Sequence, residues 1–105
     1  MQSYAVIWRE AAGPLRAGKL VLGPTELRLE SGAPRGRLSA RTVRYAGLSA
    51  VEMARLPEER IHGRPTVLVK RMGKAPLAIA TVESPGSLHE VVQRLADAVA
   101  GAAPT

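Results

Sequence analysis

The stretch SPGSLHEVVQRLADAVAG, residues 84–101, limits how the rest of the chain is able to fold. Its apolar residues recur at steps of three and four, which is the spacing of one helix face; they are Leu88, Val91, Val92, Leu95 and Val99. Ser87 and Glu90 have the spacing of a capping box, and Gly101 is suited to a left-handed turn that ends the helix. We therefore predict one amphipathic helix over residues 85–100. Such a helix must bury its apolar face against another layer.

Seven short segments with the composition of β-strands precede this helix, and turn signals separate them roughly every 8–12 residues. They are residues 3–9, 15–22, 25–30, 41–45, 49–55, 65–72 and 76–82. Short strands at regular spacing are typical of an antiparallel sandwich or barrel. We therefore predict a mainly β (α+β) fold, a seven-stranded antiparallel and partly open barrel or sandwich capped by the C-terminal helix. Split-barrel and other small β-barrel folds are the alternatives.

Individual residue types add detail to this prediction. Gly18 lies in the middle of the second strand and predicts a bulge or a sharp bend. The alternation in the fifth strand places Val51 and Met53 toward the core. Residues 56–64 are predicted to form a charged loop. Residues 76–82 are apolar on both faces, so we expect this strand to be buried beside the helix.

Length and composition bound the class of protein. A chain of 105 residues fits a single domain over residues 1–105, with residues 102–105 as a frayed tail. The hydrophobic fraction of 46% is enough for one folded core. The lack of cysteine excludes disulfides, thiolate metal sites and cysteine nucleophiles, and fits the cytoplasmic location that we predict. Residues 1–20 contain no signal-peptide core, and no apolar run approaches the roughly 20 residues of a membrane span.

The sequence contains no recognisable catalytic set, so we predict a protein that is not an enzyme and that needs no cofactor or metal. Asp97 is the only aspartate and falls on the helix. His89 falls in the first helical turn and His62 in the charged loop, where both are expected to be solvent-exposed. No Ser/His/Asp set, histidine ligand pair or glycine-rich phosphate loop is present.

Basic residues give the chain a net charge of +6, which favours acidic partners. Arginine supplies 12 of the 15 basic residues, which the composition of a GC-rich genome would also explain. Arg35, Arg37, Arg41 and Arg44 lie in a stretch without acidic residues, and the first two flank Gly36, where they can grip a small anion. The alternative is a solvated basic loop.

Two aromatic features bear on the choice of partner. Single-stranded nucleic acid requires exposed aromatic side chains between the basic ones, and Tyr45 is the only aromatic residue near the arginines, so this role is disfavoured. Tyr4 and Trp8 form a stripe with Val6 on the first strand. We expect this stripe to pack in the core, and an exposed partner-binding stripe is the alternative.

The order of elements resembles the pleckstrin-homology-like superfamily, including its bacterial and GRAM-type members, over residues 3–100. Residues 43–53, VRYAGLSAVEM, look like the passage from the fourth to the fifth strand of such domains, and residues 18–29 look like their hairpin. The resemblance implies two near-orthogonal sheets with the C-terminal helix plugging the open corner. In lipid-binding members, basic residues around the first inter-strand loop hold a phosphoinositide head group. Arg9 suits the first of those places. Arg16 and Lys19 are three positions apart where the pattern has two, and Gly18 stands where the arginine would be, so the lipid-binding pattern is incomplete here.

Three functional hypotheses follow. The first is a non-enzymatic binding module that contacts another protein along an exposed strand edge or through the loops at the open end of the barrel. The second is a weak binder of anionic lipid or phosphate head groups through Arg9, Arg16 and Lys19, together with Arg35 and Arg37. The third is a nucleic-acid accessory protein. A homodimer paired through strand edges is compatible with each of them.

Overall fold

The computed structural model describes residues 2–10, 13–32, 38–82 and 85–102 and shows a single seven-stranded antiparallel sheet followed by one helix. Its elements are β1 (Gln2–Glu10), β2 (Arg16–Leu22), β3 (Glu26–Gly32), β4 (Leu38–Arg44), β5 (Leu48–Met53), β6 (Val67–Arg71), β7 (Lys74–Thr81) and α1 (Pro85–Ala102). Two short 3-10 turns, Tyr45–Gly47 and Pro57–Glu59, lie on either side of β5. The predicted fold class, mainly β with one C-terminal helix, is confirmed.

The sheet is open, and its two terminal strands are β4 and β5. The strand order is β4-β3-β2-β1-β7-β6-β5, so β1 is the central strand and β4 does not pair with β5. The sheet nevertheless curls strongly. The strand register places Arg41 level with Tyr4, which is about 20 Å along β1 from Glu10 in a flat sheet. Arg41 and Glu10 are in direct contact, so curvature must bring them together.

The main core lies on the inner face of this curled sheet. Tyr4, Val6 and Trp8 all point inward and are almost fully buried, which confirms the predicted core stripe. The helix α1 packs against β5, the turn Tyr45–Gly47 and β7. Its apolar face contributes Leu88, Val91 and Leu95 to the core, with Val92 and Val99 packed at the margin. The helix therefore covers the inner face of the sheet as expected.

A second, smaller apolar cluster lies on the outer face of the sheet. It was not predicted from the sequence, because residues 56–64 were interpreted only as a charged loop. Ile61 from this loop is only 1% exposed and packs with Leu68 and three alanines, which are Ala54, Ala78 and Ala80. The Ile61 amide donates a hydrogen bond to Thr66 Oγ1 at 3.0 Å, which anchors the loop. Because β7 has an apolar cluster on each side, both of its faces are apolar.

The start of the helix was predicted correctly, but the residues predicted to cap its two ends do not do so. The helix begins at Pro85, so Ser87 lies within the first turn and not at the capping position. Proline favours the first helical position because its φ is already helical and it has no N–H to leave unpaired. Gly101 lies inside the helix, which continues to Ala102, and its φ is not left-handed. Apart from Ala102, the predicted tail lies outside the described residues.

Two predictions within strands also need correction. The pairing of β2 with β1 runs through Gly18 without a register shift, and the pairing with β3 ends at Gly18 without one, so no bulge is present there. Glycine is needed instead because the backbone carbonyl of Glu30 on β3 lies where a Cβ atom would be. Val51 packs against the core as expected, but Met53 is 37% exposed. Met53 ends an outermost strand that has a neighbour on one side only, so little apolar surface covers it.

Candidate functional site

A basic cleft separates β4 from the turn between β6 and β7, at the open side of the sheet. It has a volume of about 410 Å³ and is lined by residues 40–44 of β4 and by Gly47, Arg71, Met72 and Lys74. Among these described lining residues, Arg41, Arg44, Arg71 and Lys74 are basic and none is acidic. A concave surface with an excess of positive charge concentrates the electrostatic field, so the basic cleft attracts anions.

The backbone of β4 presents hydrogen-bonding groups to this cleft that no described strand pairs. Tyr45 N donates to Thr25 O at 3.1 Å, and these two residues continue the register in which Arg44 is opposite Glu26. Hydrogen-bonded and non-hydrogen-bonded pairs alternate along an antiparallel ladder. The N–H and C=O groups of Ala40, Thr42 and Arg44 therefore point away from β3, toward the free edge of the sheet.

Arg71 is the most constrained cation of the basic cleft. Its side chain is only 6% exposed. Its Nε and Nη2 donate to the carbonyl of Ala75 at 2.9 and 2.6 Å, and Nη2 also donates to Glu10 Oε1 at 3.0 Å. Its Nη1 makes no hydrogen bond to any described residue. The Arg71 guanidinium is thus held in place with one donor nitrogen that no described residue uses.

Glu10 joins both sides of the basic cleft. Its Oε1 accepts a hydrogen bond from Arg41 Nη1 at 2.6 Å and one from Arg71 Nη2 at 3.0 Å. Such charge-assisted bonds favour the ionised carboxylate. The hydrogen bond from Arg71, with the charge of Arg41 as a further contribution, lowers the pKa of Glu10 from its usual value. This carboxylate connects β1 to β4 and β6.

Replacing Glu10 by glutamine is expected to make the free energy of unfolding less sensitive to acid. Since the folded-state pKa of Glu10 lies below its unfolded value of about 4.3, its stabilisation is complete above that pH and is lost as the pH falls through the folded-state pKa. Between pH 5 and 2, the free energy of unfolding of the wild type should therefore fall more steeply than that of Glu10→Gln. Urea titrations at each pH measure this difference, and parallel curves would contradict the assignment.

The residues predicted to hold a lipid head group are not brought together by the fold. Arg16 lies opposite Trp8 on the inner face, with its Cζ 6.0 Å from the centre of the indole ring. Arg9 and Lys19 lie on the outer face, but the register pairs Lys19 with Ala5, four residues or about 13 Å along β1 from Arg9. The other two candidates, Arg35 and Arg37, lie outside the described residues.

Three residues of the predicted surface chemistry stay at the surface. Arg9 Nη2 donates to the carbonyl of Glu58 at 3.2 Å, so Arg9 holds the outer loop against β1. His62 and His89 are both exposed, as predicted.

Within the described part of the chain, no group of three or more His, Cys, Asp or Glu residues is placed to hold a metal ion. No helix among the described residues has the length and apolar character needed to cross a bilayer.

Sequence reasoning identified part of the basic cleft and missed the rest. Arg41 and Arg44 were part of the predicted basic stretch, whereas Glu10, Arg71 and Lys74 were not singled out. One signal was available in the first strand. The inward series of Tyr4 and Trp8 continues to Glu10, which places a carboxylate at the end of an inward-facing apolar stripe.

The fold and the cleft together define a small open β-sheet domain with a basic cleft along one free strand edge. The chain is similar to the crystal structure of the C-terminal domain of an unknown protein from Leishmania infantum, with a TM-score of 0.67 and 12% sequence identity, over 90% of this chain and 82% of that chain. At this identity the likeness shows the fold alone. No protein-family model matches the sequence, and no curated protein sequence matches it.

Proposed function

We propose that this domain is a non-enzymatic interaction module that binds an acidic, extended segment of a partner protein along the free edge of β4. The observation that carries the proposal is that the outward backbone groups of Ala40, Thr42 and Arg44 border the basic cleft. An extended segment that adds to a sheet edge gains main-chain hydrogen bonds. The cations of the cleft supply the preference for an acidic segment.

The dimensions of the cleft suit a short segment. Residues 40–44 span about 13 Å, which accommodates about five residues of an added strand. The cleft is bounded on its other side by Gly47, Met72 and Lys74, so a strand placed there would enter the gap between the two halves of the sheet. A binding role is compatible with the resemblance to pleckstrin-homology-like domains, which bears on fold more than on role. The lack of cysteine is compatible with a cytoplasmic partner.

Binding of lipid head groups has less support, because Arg9, Arg16 and Lys19 do not converge on one surface. It stays a prediction that vesicles can test. If the basic cleft binds peptides and not lipid, vesicles with anionic lipid should retain no more of the protein than neutral vesicles do. Strong retention that is lost in the double variant Arg16→Ala, Lys19→Ala would favour the lipid hypothesis instead.

Replacing Thr42 by proline is expected to weaken peptide binding while leaving the domain folded. Proline has no N–H, and it is tolerated in an edge strand where that group faces solvent. Loss of one hydrogen bond worth about 1 kcal/mol corresponds to a decrease in affinity of about fivefold. The probe is the peptide Thr-Glu-Thr-Glu-Thr-Glu-Thr, titrated into the labelled protein and followed through the backbone amide signals of residues 40–44.

The matched control is Thr42→Val, which keeps the N–H and the branched side chain and should bind as the wild type does. A second peptide with lysine at each glutamate position should bind weakly or not at all. The proposal is wrong if the glutamate peptide leaves the amide signals of Ala40, Thr42 and Arg44 unchanged. Sedimentation of the free protein shows whether a second copy of the chain occupies the edge of β4 instead.

A further inference from the structure

We propose that the inner end of the basic cleft is an oxyanion site, in which an acidic or phosphorylated side chain of the docked segment replaces Glu10 as the partner of Arg41. This inference rests on the proposed function, since it names the side-chain chemistry that the docked segment presents. The ligand group is a carboxylate or a phosphoryl group, both of which suit the planar fork of an arginine.

The pleat of the sheet directs one side chain of a docked segment to this place. Along β4, Val43 faces the core, and Arg41 points to the same side because side chains two residues apart share a face. A strand added to β4 shares its pleat, so the residue beside Arg41 also points inward. That side chain enters the cleft between Arg41 on β4 and Arg71 on β6, where Lys74 also contributes to the wall.

Arg71 is preorganised to receive an oxyanion. Only 6% of its side chain is exposed, and its Nε and Nη2 both donate hydrogen bonds to the Ala75 carbonyl. Its Nη1 has no described partner, yet the residue lines the cleft. A cation that is already held in place loses little conformational freedom when it binds a ligand. An incoming oxyanion therefore finds a fixed donor and a positive charge.

The ion pair between Glu10 and Arg41 is weak enough for a ligand to replace Glu10. The side chains of Arg41 and Glu10 are 47% and 31% exposed, and ion pairs with this degree of exposure are weak. Glu10 keeps its second arginine, Arg71, after Arg41 has moved to the ligand. The four cations of the cleft outnumber this one carboxylate, so a second anion is still attracted when Glu10 is ionised. Glu10 thus remains the ion-pair partner of Arg41 until a ligand binds.

The test compares three peptides that differ only at their central residue, which is glutamate, phosphoserine or glutamine, in a neutral frame of alternating threonine and serine. Glu10→Gln should raise the affinity for the glutamate and phosphoserine peptides about two- to fivefold and leave that for the glutamine peptide unchanged. Arg41→Gln should lower the affinity for the two anionic peptides about tenfold. The matched controls are Glu52→Gln on β5 and Arg60→Gln on the outer loop, which make the same charge changes away from the cleft and should have no selective effect.

Inorganic phosphate, titrated alone, separates this inference from the proposed function. If phosphate shifts the side-chain Nε–H signal of Arg71 but no peptide shifts the amides of residues 40–44, the oxyanion site stands and strand docking fails. If the glutamine peptide shifts those amides and the anionic peptides bind no better, docking stands and the oxyanion site is overturned. The ratio of affinities for the phosphoserine and glutamate peptides tells which oxyanion the site prefers.

Discussion

Replacing Leu95 by alanine is expected to lower the free energy of unfolding by about 3 kcal/mol. Leu95 is fully buried on the sheet-facing side of α1 and belongs to the main core cluster. Its truncation removes apolar contacts and leaves a cavity that the surrounding strands cannot fill, because they are tied into one sheet. A loss of this size is a large part of the roughly 5–15 kcal/mol that stabilises an ordinary domain.

Chemical denaturation followed by tryptophan fluorescence measures this loss, since Trp8 lies in the same core cluster as Leu95. The matched control is His89→Ala, an exposed position on the same helix, which should change stability by no more than about 0.5 kcal/mol. Equal stabilities for Leu95→Ala and His89→Ala would show that the helix does not act as the cover of the inner face. The function proposed for the cleft would then lose the fold that supports it.

Replacing Gly18 by alanine is expected to lower the free energy of unfolding by about 2 kcal/mol or more. The added Cβ atom would meet the backbone carbonyl of Glu30. This carbonyl is part of the paired backbone of β2 and β3, so it cannot move aside as the end of a flexible side chain could. Relief requires separation of the two strands. Because Glu30 also pairs with Ala40 on β4, the edge that borders the basic cleft would be displaced as well.

Gly47→Ala is the matched control for this substitution. No atom lies within 4 Å of a Cβ built on Gly47, and its φ is not left-handed. An alanine there should be neutral or stabilise the protein by about 0.5 kcal/mol, because it restricts the unfolded chain. Urea midpoints for the two variants provide the comparison. If Gly18→Ala were as stable as Gly47→Ala, the close approach of β2 to β3 would not be the reason for glycine at position 18.

Local patterns account for the parts of the fold that were predicted correctly. The helix was predicted because Leu88 and Leu95 belong to a stripe with the helical period, and the core face of β1 because Tyr4 and Trp8 alternate with the period of a strand. These patterns depend only on neighbours within a few positions. The capping residues of the helix were predicted less well, because the capping spacing of Ser87 competed with the preference of Pro85 for the first helical position.

The role of the outer loop could not be read from its composition. Residues 56–64 are rich in charge, yet Ile61 is buried and Thr66 anchors it through a hydrogen bond. A single apolar residue among charged ones gives no periodic signal. Its burial depends on the outer faces of β6 and β7 being apolar and available, which is a property of the sheet as a whole.

The amino-acid order alone determined seven strands, one helix and most of the residues that face the main core, because side-chain alternation and helical periodicity are local consequences of backbone geometry. Only the tertiary structure decided the candidate site. Glu10 is 31 positions from Arg41 and 61 from Arg71. Strand pairing through β7 brings Arg71 near Glu10, and the curvature of the sheet brings Arg41 to the same carboxylate. The free edge of β4 likewise exists because no described strand pairs with it, and strand pairing is a long-range choice that short-range patterns do not encode.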